Sequence, residues 1–243
     1  MAELMTEQDS LVQERINSGT AWTRNEQFDR DGYLVIKDLW DPEELYHPVP
    51  DIRGQLNYWD RNPDHFGHVA VESQVEGSLA RYYHPQYKEI HSGVRQKLEK
   101  VIGRKLFNTY YYDRYYFEGH DLTRHTDRGA CEISVTMHIS TNLPQPEKDW
   151  PIKIKTPDTY TDEKKSAVLV PGEERSAVLN PGDGLLYKGC ERPHWRDVLP
   201  IPQVKKGWFS KEKEKVEYYY HQIFFHYVLQ DGERAHCAWD AAR

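Results

Sequence analysis

The chain has 243 residues, a formal net charge of −7 and 13% aromatic residues, 17 of them Tyr. That length accommodates one large domain with a sizeable core, and the aromatic richness favours strands. An acidic balance with a pI near 5.9 argues against broad phosphate-backbone binding, so nucleic acid is not an expected partner.

No apolar run reaches the roughly 20 residues that span a bilayer. The opening MAELMTEQDSLVQERI is acidic where a signal peptide is basic and then apolar, so no membrane association and a cytoplasmic location are expected. Cys131, Cys190 and Cys237 are widely spaced and form no CxxC pair, which suits reduced thiols better than a disulfide framework or a zinc knuckle.

Residues 1–27 read as a helix or an arm, with Leu11, Val12 and Ile16 near helical spacing. Residues 28–105 read as a strand and helix support region. GYLVIKDLW (32–40) is a strand, followed by DPEELY, in which Asp41 is an N-cap and Pro42 a first helical residue. From His84, the apolar stripe Ile90, Val94, Leu98, Val101 and Ile102 predicts a helix that ends near Gly103.

Over 106–230 the period changes. LFNTYYYDRYYFEG, ISVTMHIS, WPIKIKT, SAVLV, SAVLN, GLLYKG and YYYHQIFFHYVL predict the short strands of a double-sheet core, separated by turn signals such as PGDG. NLPQPEKDW, TPDTYTDEKK and VKKGWFSKEKEKVE read as charged, solvated loops, and 231–243 as a C-terminal tail. The expected fold is mainly β with flanking helices, in one domain. Oligomeric state is not legible.

The stretch RHTDRGACEISVTMHIS places His125 and Asp127 two apart just before an apolar strand. On a strand, residues at that spacing share a face, so an imidazole and a carboxylate can converge on a metal ion. If two antiparallel sheets form a jelly roll, the distant His194 in RPHWRDVL can meet them at the mouth of the sandwich. Two histidines and one carboxylate with open positions suit non-haem Fe(II), although zinc also binds such donors. Arg196 shares the face of His194 on a strand, and its guanidinium can hold a carboxylate through two parallel hydrogen bonds.

Tyr116 and Gly119 ahead of His125 and Asp127, the strand ISVTMHIS, the run LNPGDGLLYKG and the distal His194 together resemble the 2-oxoglutarate and Fe(II)-dependent oxygenases, in their prolyl 4-hydroxylase-like branch. RHTDRxxCEISVT, DWPI, HWR and QIFFHYV resemble a group of small microbial and phage-type members. The resemblance implies a distorted double-stranded β-helix (jelly roll, cupin-like) with N-terminal helices packed on one sheet. It implies His125, Asp127 and His194 as iron ligands, 2-oxoglutarate and O₂ as co-substrates, and Tyr116 as a hydrogen-bonding partner of 2-oxoglutarate. A retained Asp127 implies hydroxylation of an unactivated C–H bond with release of succinate and CO₂.

Two departures from that branch stand out. Leu122 occupies the position of a second tyrosine, and the Lys or Arg beyond the distal histidine is replaced by Val204, with Lys205 and Lys206 just after it. Arg196 is therefore expected to hold the far carboxylate in preference to Lys205. The substrate is a peptidyl proline, a free amino acid or a small metabolite. A non-catalytic jelly-roll protein holding a metal or ligand, and a cupin-like metalloenzyme that does not use 2-oxoglutarate, are the alternatives.

Overall fold

The computed structural model of the chain describes residues 25–46, 68–70, 74–75, 77–163, 166–202 and 217–240. The N-terminal helix or arm up to residue 24 and the lysine-rich stretch with Lys205 and Lys206 lie outside the described residues.

Helix α1 (Glu26–Asp31) begins at Asn25, whose side chain accepts from the Phe28 amide, and ends at Gly32 in the left-handed region (φ 77). It delivers the chain into β1 (Tyr33–Ile36). Asp41 caps α2 (Pro42–Leu45) by accepting from the Glu43 amide, with Pro42 in the first turn as expected. After β2 (His68–Ala70) and β3 (Leu79–Tyr82), helix α3 (Tyr87–Ile102) buries Ile90, Val94, Leu98, Val101 and Ile102 along one stripe and closes on Gly103 (φ 65).

The strands β4 (Leu106–Phe117), β5 (Leu122–His125), β6 (Ile133–Thr141), β7 (Ile152–Lys155), β8 (Thr159–Glu163), β9 (Ser166–Val170), β10 (Glu174–Ala177), β11 (Gly184–Tyr187), β12 (His194–Arg196) and β13 (Tyr219–Leu229) follow. They form a seven-stranded sheet in the order β1-β11-β6-β13-β4-β3-β2, a four-stranded sheet in the order β10-β7-β12-β5, and a two-stranded β8-β9 ribbon. All pairings are antiparallel, and the two larger sheets make the expected double-sheet core. Three strands of the large sheet come from the first 105 residues, so the support region also builds sheet.

The central strands β4 and β13 are buried on both faces, and the reason is the two layers of packing. Tyr111, Phe225 and Tyr227 pack with Ile90, Val94 and Leu98 of α3 on one side of the large sheet. Tyr110, Tyr112, Tyr116, Tyr220 and Phe224 pack with Leu122 and Trp150 in the space between the sheets. Alternation along β4 therefore divides the tyrosines between helix and barrel interior.

Two expectations are corrected. TPDTYTDEKK contains β8, which pairs with β9 in register Thr159↔Val170, so this stretch is not simply a loop and SAVLV lies outside the sandwich core. Tyr160, Val168, Leu169 and Val170 of the ribbon are exposed, so no apolar alternation against a core marks these positions. The strand expected at SAVLN lies earlier, at β10, because pairing with β7 through Glu174↔Lys155 and Ala177↔Ile152 fixes its span. Among the described residues no helix is long and apolar enough to cross a membrane.

Candidate metal centre

Pairing of β5 with β12 sets His125 directly opposite His194, and their ring centroids are 4.3 Å apart. His125 Nδ1 lies 2.7 Å from the Thr123 carbonyl and His194 Nδ1 lies 3.0 Å from the Arg192 carbonyl. A carbonyl only accepts, so each Nδ1 carries the proton and each Nε2 presents a lone pair. Both Nε2 atoms are 3.6 Å from Asp127 Oδ1.

Asp127 reaches this point by a different route from the one expected. Strand β5 ends at His125, and Asp127 lies in the connection that follows. Its backbone N–H donates to the Gly189 carbonyl (2.9 Å), while the Gly189 N–H donates to the Glu132 carbonyl (3.1 Å). A Cβ at Gly189 would stand 2.3 Å from Asp127 Oδ2, so the absence of a side chain there makes room for the carboxylate. Ser134 Oγ donates to Oδ2 at 3.0 Å.

Burial raises the Asp127 carboxyl, but His194 nearby and the hydrogen-bonding His125 outweigh it and bring it down to about 2. Burial pulls the His194 imidazole down against the opposing pull of Asp127. Burial also opposes charge on His125, yet the neighbouring Asp127 carboxylate and the Thr123 carbonyl leave it raised. One anionic oxygen and two imidazole lone pairs thus lie within 4.8 Å of one another, a donor set that suits a divalent transition metal.

A second group, Asp127, Cys131 and His226, meets the same distance limit. Its members already have partners: Ser134 Oγ lies between Asp127 and His226, and the Cys131 thiol is 3.2 Å from the Tyr110 hydroxyl. The fold sets Cys131 and His226 against the Asp127 carboxylate. No local signal announces this, because pairing of β6 with β13 creates it.

Arg196 lies on β12 beyond His194, with a register shift between them, and is buried. Its Nη1 donates to the Trp150 carbonyl, and the guanidinium stacks 4.5 Å from the Trp150 ring and 5.1 Å from the Tyr220 ring. Its Nε and Nη2 have no hydrogen-bond partner among the described residues. The Tyr220 hydroxyl approaches the guanidinium without hydrogen-bond geometry, and His138, stacked on Tyr220 with ring centroids 4.1 Å apart, has an unpartnered Nε2. A buried cation with two unused donors and a nearby hydroxyl together fit a small anion's carboxylate.

Tyr116 is also buried between the sheets, against Trp150, with its hydroxyl 3.3 Å from Arg114 Nη1. Arg114 faces the same interior, and sequence reasoning did not single it out. Trp195, between His194 and Arg196, turns outward and receives Arg124 over its ring at 4.3 Å. Arg128 pairs with Asp240 and covers Tyr110.

No protein-family model and no curated protein matches the chain. Solved structures do. A prolyl-4-hydroxylase from Pseudomonas putida aligns at TM-score 0.50 and 11% identity over 83% of this chain and 95% of its own. An oxidoreductase of the 2OG-Fe(II) oxygenase family from Burkholderia pseudomallei aligns at TM-score 0.52 and 10% identity, over 91% and 98% of the two chains. The non-heme alpha ketoglutarate dependent epimerase SnoN from nogalamycin biosynthesis aligns at 0.52 and 10%, over 89% and 84%. The fold is therefore the jelly-roll-like fold of the 2-oxoglutarate and Fe(II) oxygenases. Within that class its likeness extends to a prolyl hydroxylase over nearly that enzyme's whole length.

Proposed function

We propose that the protein is an Fe(II)- and 2-oxoglutarate-dependent oxygenase that hydroxylates an unactivated C–H bond. The observation that carries this reading is the convergence of His125 Nε2, His194 Nε2 and Asp127 Oδ1, each fixed by a hydrogen bond on its other side, beside a strand pair that also carries a buried guanidinium with unused donors.

His125, Asp127 and His194 would hold the iron, a three-donor set of the kind that suits non-haem Fe(II) and oxygen chemistry. Arg196 receives the far carboxylate of 2-oxoglutarate, with the Tyr220 hydroxyl at that end of the pocket and Tyr116 adding a hydroxyl nearby. On a strand, residues two apart are separated by roughly 6–7 Å, about the span of a five-carbon diacid. When bound, iron, 2-oxoglutarate and O₂ supply oxidative decarboxylation to succinate and CO₂ and the transfer of an oxygen atom to carbon. The chain contributes ligand placement, an apolar wall of Leu122, Trp150 and Ile154 that excludes water, and orientation of the co-substrate. The substrate is a peptidyl proline, a free amino acid or a small metabolite.

Anaerobic addition of Fe(II) and 2-oxoglutarate to wild type is expected to give the visible charge-transfer band of the chelate, and His194→Ala to lose it. Absence of the band in wild type would remove the assignment. Succinate release above the uncoupled background, compared between prolyl peptides and free amino acids, then selects the substrate class.

A further inference from the structure

Asp127 has two oxygens, and the fold treats them differently. Oδ1 faces the imidazoles, whereas Oδ2 is 3.0 Å from Ser134 Oγ. The same hydroxyl is 2.9 Å from His226 Nδ1 and 3.2 Å from the Cys131 carbonyl. Ser134 and His226 are direct cross-strand partners on β6 and β13, and both are buried.

A hydroxyl has one proton to give and two lone pairs. The Asp127 carboxylate can only accept, and as a charged acceptor at the shorter distance it outcompetes the neutral Cys131 carbonyl for that proton. Ser134 must then accept from His226, which places a proton on Nδ1 and leaves a lone pair on Nε2, an atom with no partner among the described residues. The proton order is thus fixed from His226 Nδ1–H to Ser134 Oγ–H to Asp127 Oδ2. Rings of Tyr110 and Tyr112, with centroids 4.6 and 5.8 Å from that of His226, hold the imidazole plane.

We propose that His226 and Ser134 are positioning residues that hold Asp127 as a one-oxygen metal ligand. The inference rests on the metal centre proposed above. With Oδ2 committed to Ser134, the carboxylate is restrained from turning to bind through both oxygens, a mode open to carboxylates in general. The coordination position that a second oxygen would fill stays available to a chelating co-substrate. The clamp belongs to the large sheet, whereas the two imidazoles belong to the small one, so the two sheets set the ligand geometry from opposite sides.

The test is anaerobic Co(II) titration, following the visible absorption of the bound ion, in wild type, His194→Ala, Ser134→Ala, His226→Leu and His226→Asn, with melting of each metal-free protein as a control. Asn returns an amide N–H close to where Nδ1 donates; Leu does not. Ser134→Ala and His226→Leu are expected to bind Co(II) about 10- to 100-fold more weakly than wild type, the usual cost of removing an outer partner of a ligand. Their absorption bands should change in shape, and His226→Asn should return to near the wild-type constant and spectrum.

If Ser134→Ala binds as wild type while His194→Ala does not bind, the clamp is refuted and the metal centre stands. If His194→Ala binds as wild type, the metal centre itself fails. Equal constants for His226→Asn and His226→Leu overturn the donor role. Should His226→Leu fail to fold, Ser134→Ala against His226→Asn decides the matter alone.

Discussion

Replacing Arg196 by Met separates binding from stability, because the two are expected to move in opposite directions. In the ligand-free protein the guanidinium is 1% exposed, and its partners are one backbone carbonyl and two aromatic faces. Removing it forfeits a hydrogen bond of about 1 kcal/mol and cation–π contacts of about 2 kcal/mol. It also relieves the cost of a buried, incompletely partnered ion, which is several kcal/mol. Burial pulls the Arg196 pKa down, the direction expected of an ion whose surroundings do not fully compensate it. The metal-free variant should therefore be as stable as wild type or more stable, by up to about 4 kcal/mol.

Binding of 2-oxoglutarate loses two charge-assisted hydrogen bonds, from Nε and Nη2, at about 1.5–3 kcal/mol each. At 1.4 kcal/mol per tenfold, the dissociation constant should rise by at least about 100-fold. Urea unfolding of the metal-free proteins measures the first quantity, and anaerobic titration of the Fe(II) proteins with 2-oxoglutarate measures the second. An Arg196→Met protein that binds 2-oxoglutarate as wild type does would refute the carboxylate role, and one that is markedly less stable would refute the reading of the guanidinium as an incompletely satisfied charge.

Gly189→Ala should lower Co(II) affinity and cost about 1–3 kcal/mol of stability, since its Cβ would fall 2.3 Å from both Asp127 Oδ2 and the Cys131 carbonyl; unchanged affinity by titration would contradict the close approach. His194→Ala should weaken Co(II) binding by more than about 100-fold, beyond the usual outer-partner cost, and equilibrium dialysis checks this. Burial brings His91 down to about 3 and His138 down to about 4, against about 6.5 in the unfolded chain. Between about pH 6.5 and 4 the unfolded chain takes up protons that the folded one refuses, so stability falls as pH falls, by roughly 3 kcal/mol per residue. Urea midpoints that stay flat across that window would contradict it, and His91→Gln should flatten the slope.

The strands were legible where side chains are both β-prone and buried. β4 and β13 carry near-continuous runs of aromatic and branched residues because helices or the opposing sheet cover both faces, and β6 alternates Ile, Val and Met with Ser, Thr and His. β8 escaped notice because it pairs with β9 outside the two larger sheets and its Tyr160 is exposed. The helix α3 was legible from one stripe and a closing glycine. His125 and His194 were recognisable as a pair only through a resemblance, since nothing local in RPHWRDVL says which strand lies beside it.

Asp127 shows most clearly what a sequence pattern omits. The spacing of His125 and Asp127 suggested strand alternation, yet the strand stops at His125 and the carboxylate is aimed by a backbone bond to Gly189 and a hydroxyl from β6. Those contacts depend on pairings between distant segments, β12 with β5 and β13 with β6. Period-two geometry then acts on the far strand: His194 and Arg196 face inward while Trp195 faces Arg124 outside. A slip of one residue in β12 would turn both His194 and Arg196 out of the barrel together and bring Trp195 in. The Trp195–Arg124 contact on the outer face and the His194↔Ile154 pairing on β7 oppose that slip, so residues with no chemistry of their own fix the register on which the site depends.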